Sequence, residues 1–315
     1  MKIAMADECT LKFCGVIKEH WESRGHEVRY ESGASEVLAQ WADLYYVEWW
    51  SHNIHYLFTW YQEHPEAKKP IFVVRAIDWD IWSIDIRDQR IVDFIDHLVI
   101  IAPYLLDKVK ANTDGGSGLP IQFGNKLKLI RPGLDMSKFP KKPWRPNQTS
   151  VGMACGDMWN MKNAMGGYQI FAMLAKQNPA YQFHVRGQYE GGEYYRLAFE
   201  HFVKTRKLNL TLYPMLDNMN SFYEKIDYLV LTSLKEAFSY ATAEAMACGI
   251  KPVINHFIGA EDIWPEEFIF DTYDEAVEMV KKPYTQADAD KFREYISQNH
   301  NVTKMLSEFD ELLGT

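Results

Sequence analysis

Two glutamates, Glu236 and Glu244, stand with seven residues between them in the stretch KEAFSYATAEAMACG, residues 235–249. Carboxylates act on a common ligand only if the chain brings them to one place. The residues between them include good helix formers (Ala241 and Ala243), and the run continues through Ala245, Met246 and Ala247 to Gly249, a natural residue to follow a helix end. Just before lies YLVLTS, residues 228–233, an almost continuous apolar run that reads as a buried strand. The unit is therefore strand, short loop, helix. Glu236 falls in the loop and Glu244 on the helix, where both can face one cleft beyond the strand's carboxyl end. On spacing alone two such glutamates are ordinary solvated residues; the apolar text around them argues otherwise.

Other constellations are poorer. His52, His55 and His97 lack metal-ligand spacing with any partner. The four cysteines (Cys9, Cys14, Cys155, Cys248) show neither CxxC spacing nor a disulfide framework, which fits a reducing, cytoplasmic setting. Cys155 in a strand and Cys248 at a helix end read as small buried hydrophobes. Neither GxGxxG nor GxxxxGK[ST] occurs, which removes the main support for dinucleotide dehydrogenases and P-loop NTPases.

The elements that must position these residues follow from patterning. The 315 residues suffice for two domains, and 47% apolar with 24% charged residues is a globular composition. No apolar run approaches a membrane span, and the start MKIAMADECT turns acidic too soon for a secretory signal. A net charge of −9 argues against holding nucleic acid by bulk electrostatics. One basic cluster (Lys126, Lys128, Arg131, Lys138, Lys141, Lys142, Arg145) leaves an opening for a polyanionic acceptor, or reads as a solvated linker. Strands are expected at 2–6, 27–30, 44–49, 70–76, 97–102 and 126–130, mostly separated by helical stretches. The proline-rich, basic segment 139–148 reads as a linker. A second series follows at 149–155, 181–187, 208–213, 228–233, 251–255 and 267–270, then a helical tail over 285–315. Alternation of this kind argues for α/β architecture with parallel sheets, here two Rossmann-like domains in tandem with a cleft between them. In such sheets ligands bind beyond the carboxyl ends of the strands, where helix N-termini favour a diphosphate.

With those elements in place, four segments in order resemble the retaining glycosyltransferases of the GT-B fold, family 4. TSLKEAFSYATAEAMACGIKPVI is similar to that family's hallmark turn, helix and Pro-Val strand. LIRPGLDMSKF (129–139) resembles its junction segment, RGHEV (24–28) its turn from first helix to second strand, and HLVIIAPYLLDKV (97–109) its last strand–helix pair before the junction. The resemblance implies that Glu236 lies beside the donor sugar and that Glu244 accepts from the ribose hydroxyls, a vicinal diol that an ionised carboxylate can engage twice. It implies that Ala237, Phe238, Ser239 and Tyr240 present backbone N–H groups to diphosphate and sugar, and that Met215 belongs among the donor contacts.

The segment VGMACGDMWNMKN (151–163) lies where the family has a strand ending in Gly-Arg, then Lys-Gly. Gly156 and Lys162 match. Asp157 stands in place of the arginine and Asn163 in place of the glycine. The resemblance gives the Arg and Lys the task of neutralising the leaving diphosphate, so another cation must substitute; Arg186, ending the next strand beside Gly187, is the candidate. The N-terminal half departs further. ADECT occupies the place of a glycine-rich loop, and VRAIDWD that of a common histidine. Asp78, Arg75 and Trp49 are acceptor-side candidates, with Trp50 and Trp79 as other stacking faces or as core residues.

The expected protein is thus a metal-independent, retaining hexosyl- or pentosyltransferase with no cofactor beyond its nucleotide-sugar donor. Residues 1–140 are expected to bind the acceptor and 141–300 the donor, with 301–315 a helix packing back on the first domain. The acceptor could be a glycan, a lipid, a small molecule or, less readily, modified DNA. Two alternatives stand beside it. One is a metal-dependent GT-A-like transferase using Asp78 and Asp80 of the DWD sequence, whose carboxylates suit a hard cation. The other is a degenerate, non-catalytic nucleotide-sugar binder.

Overall fold

All twelve apolar runs form strands, and they sort into two six-stranded parallel sheets. The computed structural model describes residues 1–8, 11–77, 80–81, 86–157, 160–188, 193–215 and 218–314, without the side chains of residues 156, 157 and 160. Cys9, Asp78, Trp79 and the Asp157 side chain lie outside the described part. The chain divides into two compact units, Met1–Pro132 with Thr303–Thr315, and Gly133–Val302.

Unit 1 contains β1 (Lys2–Ala6), α1 (Gly15–Ser23), β2 (Glu27–Glu31), α2 (Glu36–Trp41), β3 (Leu44–Glu48), α3 (His52–Glu63), β4 (Ile71–Ala76), α4 (Gln89–Phe94), β5 (His97–Ile100), α5 (Pro103–Lys110) and β6 (Leu127–Leu129). The strand order is β2-β1-β3-β4-β5-β6. The central strand β3 is buried along its whole length, whereas the edge strand β2 alternates exposed and half-buried residues. That contrast is what burial on two faces and an exposed edge demand. Ser35, Ser51 and Asp88 cap α2, α3 and α4 through their side chains. Trp21, Tyr46 and Phe309 pack edge to face, with centroids 6.0–6.4 Å apart, and Asp310 pairs with His20 and Arg24. These contacts tie the terminal segment to this unit.

Unit 2 contains β7 (Ser150–Asp157), α6 (Ala164–Gln177), β8 (Gln182–Gln188), α7 (Glu193–Arg206), β9 (Leu210–Tyr213), α8 (Asn220–Tyr223), β10 (Tyr228–Leu231), α9 (Tyr240–Ala247), β11 (Lys251–Asn255), β12 (Ile269–Phe270), α10 (Tyr273–Lys281) and α11 (Gln286–Asn299). The last helix, α12 (Val302–Asp310), begins at its end. The order β12-β11-β10-β7-β8-β9 is the doubly wound order of a dinucleotide-binding sheet, with its reversal between β7 and β10. Helix α6 lies close on β7 because Gly167 has no side chain: a Cβ there would sit 2.3 Å from Met153 Sδ. Gly249 has φ +81°, and the N–H groups of Gly249 and Ile250 return to the carbonyls of Met246 and Ala245, closing α9 as its sequence suggested.

The basic segment read as a solvated linker is packed. Lys142 is 9% exposed; its ammonium is 2.9 Å from Asp227 and also meets the Ile226 carbonyl. Trp144 and Gln148 donate to the Tyr284 carbonyl, both at 2.9 Å. Lys141 pairs with Asp290, and Lys126 of unit 1 donates to three carbonyls at the end of α4 (Val92, Asp93, Ile95). The charges of Lys126, Lys141 and Lys142 thus serve local structure, each within its own unit. Cys14, Cys155 and Cys248 are free and buried, as expected of small apolar side chains.

Candidate active site

The reversal of strand order in unit 2 opens the sheet between the carboxyl ends of β7 and β10, the place where such sheets take ligands. The two chain segments leaving those strands carry the charged candidates. After β7 the chain turns through Asn160–Lys162 and enters α6 by way of Asn163, which holds φ +44°. Asparagine is among the few non-glycine residues that tolerate this left-handed conformation, which accounts for its use there. After β10 come Thr232, Ser233 and the loop bearing Glu236.

Several bonds stitch these segments together. The Thr232 hydroxyl lies 3.1 Å and 2.9 Å from the carbonyls of Lys162 and Asn163, and the Leu234 N–H donates to the Met161 carbonyl at 2.9 Å. Asn255 Nδ2 donates to the Ser233 carbonyl at 3.0 Å. Upon this frame Lys162 Nζ stands 2.6 Å from Glu236 Oε1, and Ser233 Oγ donates to the same oxygen at 2.7 Å. The Glu236 side chain is 11% exposed and that of Lys162 29%, so the pair sits at a rim reachable by ligand.

The loop after Glu236 is pinned from below. Ala237, Phe238 and Ser239 are buried, and the Phe238 ring stacks on Trp264 at 5.6 Å and meets His300 at 4.8 Å. Ser239 then caps α9, its Oγ accepting from the Thr242 N–H at 3.3 Å. Tyr240 opens the helix, with its ring edge-on to Phe238.

Glu244, one turn further, has a different setting. Tyr223 Oη donates to its Oε2 at 2.6 Å. Burial pushes the Glu244 carboxyl above the ordinary carboxylate range, while the Tyr223 hydrogen bond and the Arg186 charge pull it back. Arg186 lies two residues short of the end of β8, not at it, and stands opposite a register shift: it pairs with Ala154 and Gly187 pairs with Gly156, leaving Cys155 as the extra residue. Bulges of this kind redirect side chains beside active sites. The Arg186 Nε is buried and has no hydrogen-bond partner among the described residues. Burial pushes the Cys155 thiol up to about 12, with the charges of Lys162, Glu236 and Arg186 all bearing on it. Met215 is exposed, two residues beyond β9.

Unit 1 places its candidates less uniformly. Its sheet reverses between β1 and β3, and there Trp49 Nε1 donates to Asp7 Oδ1 at 3.2 Å. Trp49 has φ +77°, an uncommon conformation for a bulky residue. Asp7 Oδ2 accepts from the Leu11 N–H at 2.8 Å, so a buried carboxylate stands in the segment that occupies the place of the resembled family's glycine-rich loop. Arg75 is 3% exposed and pairs with the fully buried Glu48 at 3.3 Å. Trp50 is a core residue. Asp80 is buried and its Oδ2 accepts from the Ile77 N–H at 2.9 Å, while Asp78 lies outside the described residues. Among the described residues no group of three or more His, Cys, Asp or Glu could hold a metal ion. Two doubly wound sheets are also not the single nucleotide-binding domain that the DWD alternative requires.

Sequence reasoning missed Tyr223, Ser233 and Thr232. Ser233 and Thr232 flank a motif already singled out; nothing in periodicity or spacing marks Tyr223.

A family model described as glycosyl transferases group 1 matches residues 138–301, more than half of the chain. No curated protein matches in sequence. Among solved structures the chain resembles Anabaena Alr3699/HepE in complex with UDP and glucose at 15% identity and TM-score 0.72, covering 100% of this chain and 99% of that one. It resembles sucrose-phosphate synthase from Thermosynechococcus elongatus at 13% identity and TM-score 0.70, covering 99% and 98%. A variant of S. aureus TarM in complex with UDP matches at 13% identity and TM-score 0.64, over 86% of this chain and 55% of that one; this chain spans about half of TarM's length. These likenesses establish a GT-B fold.

Proposed function

The chain belongs to the group 1 glycosyl transferases, and we propose that it moves a sugar from a nucleotide-sugar donor to an acceptor hydroxyl with retention of configuration, as in family 4. The observation that carries the reading is the Lys162–Glu236 pair, joining the segments that leave β7 and β10 where the strand order reverses. In this reading Lys162 and Arg186 take the diphosphate, which gains charge as it leaves. Glu236 bonds the donor sugar and Glu244 the ribose hydroxyls. The N–H groups of Ala237 to Tyr240 and the start of α9 add a positive dipole end. Gly156 lets the backbone come near the donor, and Met215 borders it. Catalysis is electrostatic, supplied by fixed cations facing developing charge rather than by a metal. On the acceptor side Trp49 offers a ring face and Asp78 a carboxylate; Arg75, buried against Glu48, does not reach an acceptor as the structure stands.

Nucleoside diphosphates test the donor site. UDP, the nucleotide in the Anabaena and S. aureus structures, is the first probe, with GDP and ADP beside it. At about a hundredfold excess over the dissociation constant, a ligand that binds only the native state stabilises it by about 2.7 kcal/mol, so the melting temperature rises. No rise with any of the three contradicts the reading. Incubation with nucleotide sugars and acceptor is expected to release nucleoside diphosphate, and to do so equally in EDTA. Loss of release in EDTA, restored by manganese or magnesium, overturns the metal-independent part. A melting shift without turnover gives instead the non-catalytic binder, which Asp157 in place of arginine favours.

The two glutamates are expected to separate kinetically. Glu244→Ala raises KM for the donor with little change in kcat, because a ribose contact is made equally in ground and transition states. Steady-state kinetics over donor concentration checks this. Unchanged KM removes Glu244 from the site.

A further inference from the structure

We propose that Tyr223 is a positioning residue that orients the Glu244 carboxylate toward the ribose of the donor. The inference rests on the reading in which Glu244 takes the ribose hydroxyls, and extends it to a residue outside the motif.

Tyr223 ends α8 and is 1% exposed, packed in an apolar cluster with Phe222, Ile226, Ala245 and Cys248. A side chain filling that cluster needs no hydroxyl. The hydroxyl it has lies 2.6 Å from Glu244 Oε2 and 3.3 Å from the Ala241 carbonyl. Its one proton goes to the nearer and charged acceptor, since bonds to ionised groups are shorter and stronger. Burial holds the Tyr223 phenol well above its ordinary value, so it stays a donor at any working pH.

The groups bearing on Glu244 come from three elements. Tyr223 approaches from α8 and the Arg186 guanidinium from β8, while Cys248, four residues on, follows the last residue of α9. Burial favours the neutral carboxyl, and a neutral carboxyl has one oxygen converted to a donor. Such a group engages a vicinal diol poorly. The Tyr223 bond opposes this by stabilising the charged form. It also fixes the carboxylate plane and occupies one acceptor position on Oε2, leaving Oε1 for ligand. The consequence is confined to ligands that carry ribose hydroxyls.

The test uses the full chain and its Tyr223→Phe variant, which keeps the ring. Calorimetry measures the Kd of UDP, ADP and GDP and of the counterpart of each that lacks both ribose hydroxyls. The expected result is a rise of about tenfold in Kd for the ribonucleotides, equivalent to about 1.4 kcal/mol, with the dihydroxyl-free counterparts unchanged. The acid limb of ribonucleotide affinity moves to higher pH, because removing the phenol raises the Glu244 carboxyl further. In a Glu244→Gln background the same substitution is expected to have no effect. An equal loss for both nucleotide classes, no loss in either, or a persisting effect in that background overturns the proposal. If the parent chain binds none of the three nucleotides, the donor-site reading falls first and this inference with it.

Discussion

Lys162→Ala is expected to lower kcat/KM by about 10² to 10³, the scale for removing one preorganised group that meets charge developing in the transition state. The residue is held from both sides. Its carbonyl lies against the Thr232 hydroxyl and its ammonium is 2.6 Å from Glu236. An ammonium fixed in this way needs little reorganisation when a diphosphate departs. The substitution also strips a cation from a carboxylate that is 11% exposed and shares its oxygen with Ser233. Part of the loss therefore reaches turnover through Glu236. Stopped-time assays at varied donor concentration separate the effects, with most of the loss expected in kcat. A variant with unchanged kcat/KM removes Lys162 from the chemistry.

Arg186→Ala is expected to lower kcat/KM by about 2–4 kcal/mol, again the cost of one transition-state donor. In the proposed reading the guanidinium substitutes for the cation that Asp157 replaces. Its Nε is buried without a hydrogen-bond partner among the described residues. Arg186→Lys is expected to restore activity only in part, because a point charge does not reproduce a planar fork of donors. The same substitutions have a second readout. The Arg186 charge pulls the Glu244 carboxyl down against burial, so its removal lets Glu244 protonate at higher pH, and donor affinity is lost at correspondingly higher pH on acidification. An alanine variant as active as the parent, with an unchanged pH profile, leaves Lys162 and the start of α9 as the whole diphosphate site.

Much of the fold was legible because central parallel strands are buried on both faces and so write themselves as apolar runs. YLVL at β10 is buried throughout, and LYYVE at β3 likewise. Edge strands carry less: β9 has no buried residue, and only two residues of the run at 267–270 pair as β12. Lateral order was not legible. Chain order places β8 after β7 and β10 far from it, yet β7 lies between β8 and β10. That adjacency brings Lys162 to Glu236 across 74 positions. The solvated reading of Lys142 failed for the same reason. Lys142 looked exposed in sequence, but its partner Asp227 lies 85 positions away and the pair is buried. Charges counted along a chain say nothing of partners that folding supplies. Tyr223 shows the same limit, since a phenol that touches Glu244 through space resembles any core tyrosine in sequence.

In the proposed reading unit 2 holds a nucleoside diphosphate with its phosphates between Lys162 and Arg186 and its ribose on Glu244. A crystal structure of the full chain with UDP, or with whichever of UDP, GDP and ADP raises the melting temperature most, tests it most directly. The expected result is a phosphate oxygen within hydrogen-bonding distance of both the Arg186 guanidinium and the Lys162 ammonium, with a ribose hydroxyl on Glu244 Oε1. A nucleotide bound away from the ends of β7 and β10, or bound there with Arg186 and Glu244 making no contact to it, contradicts the claim.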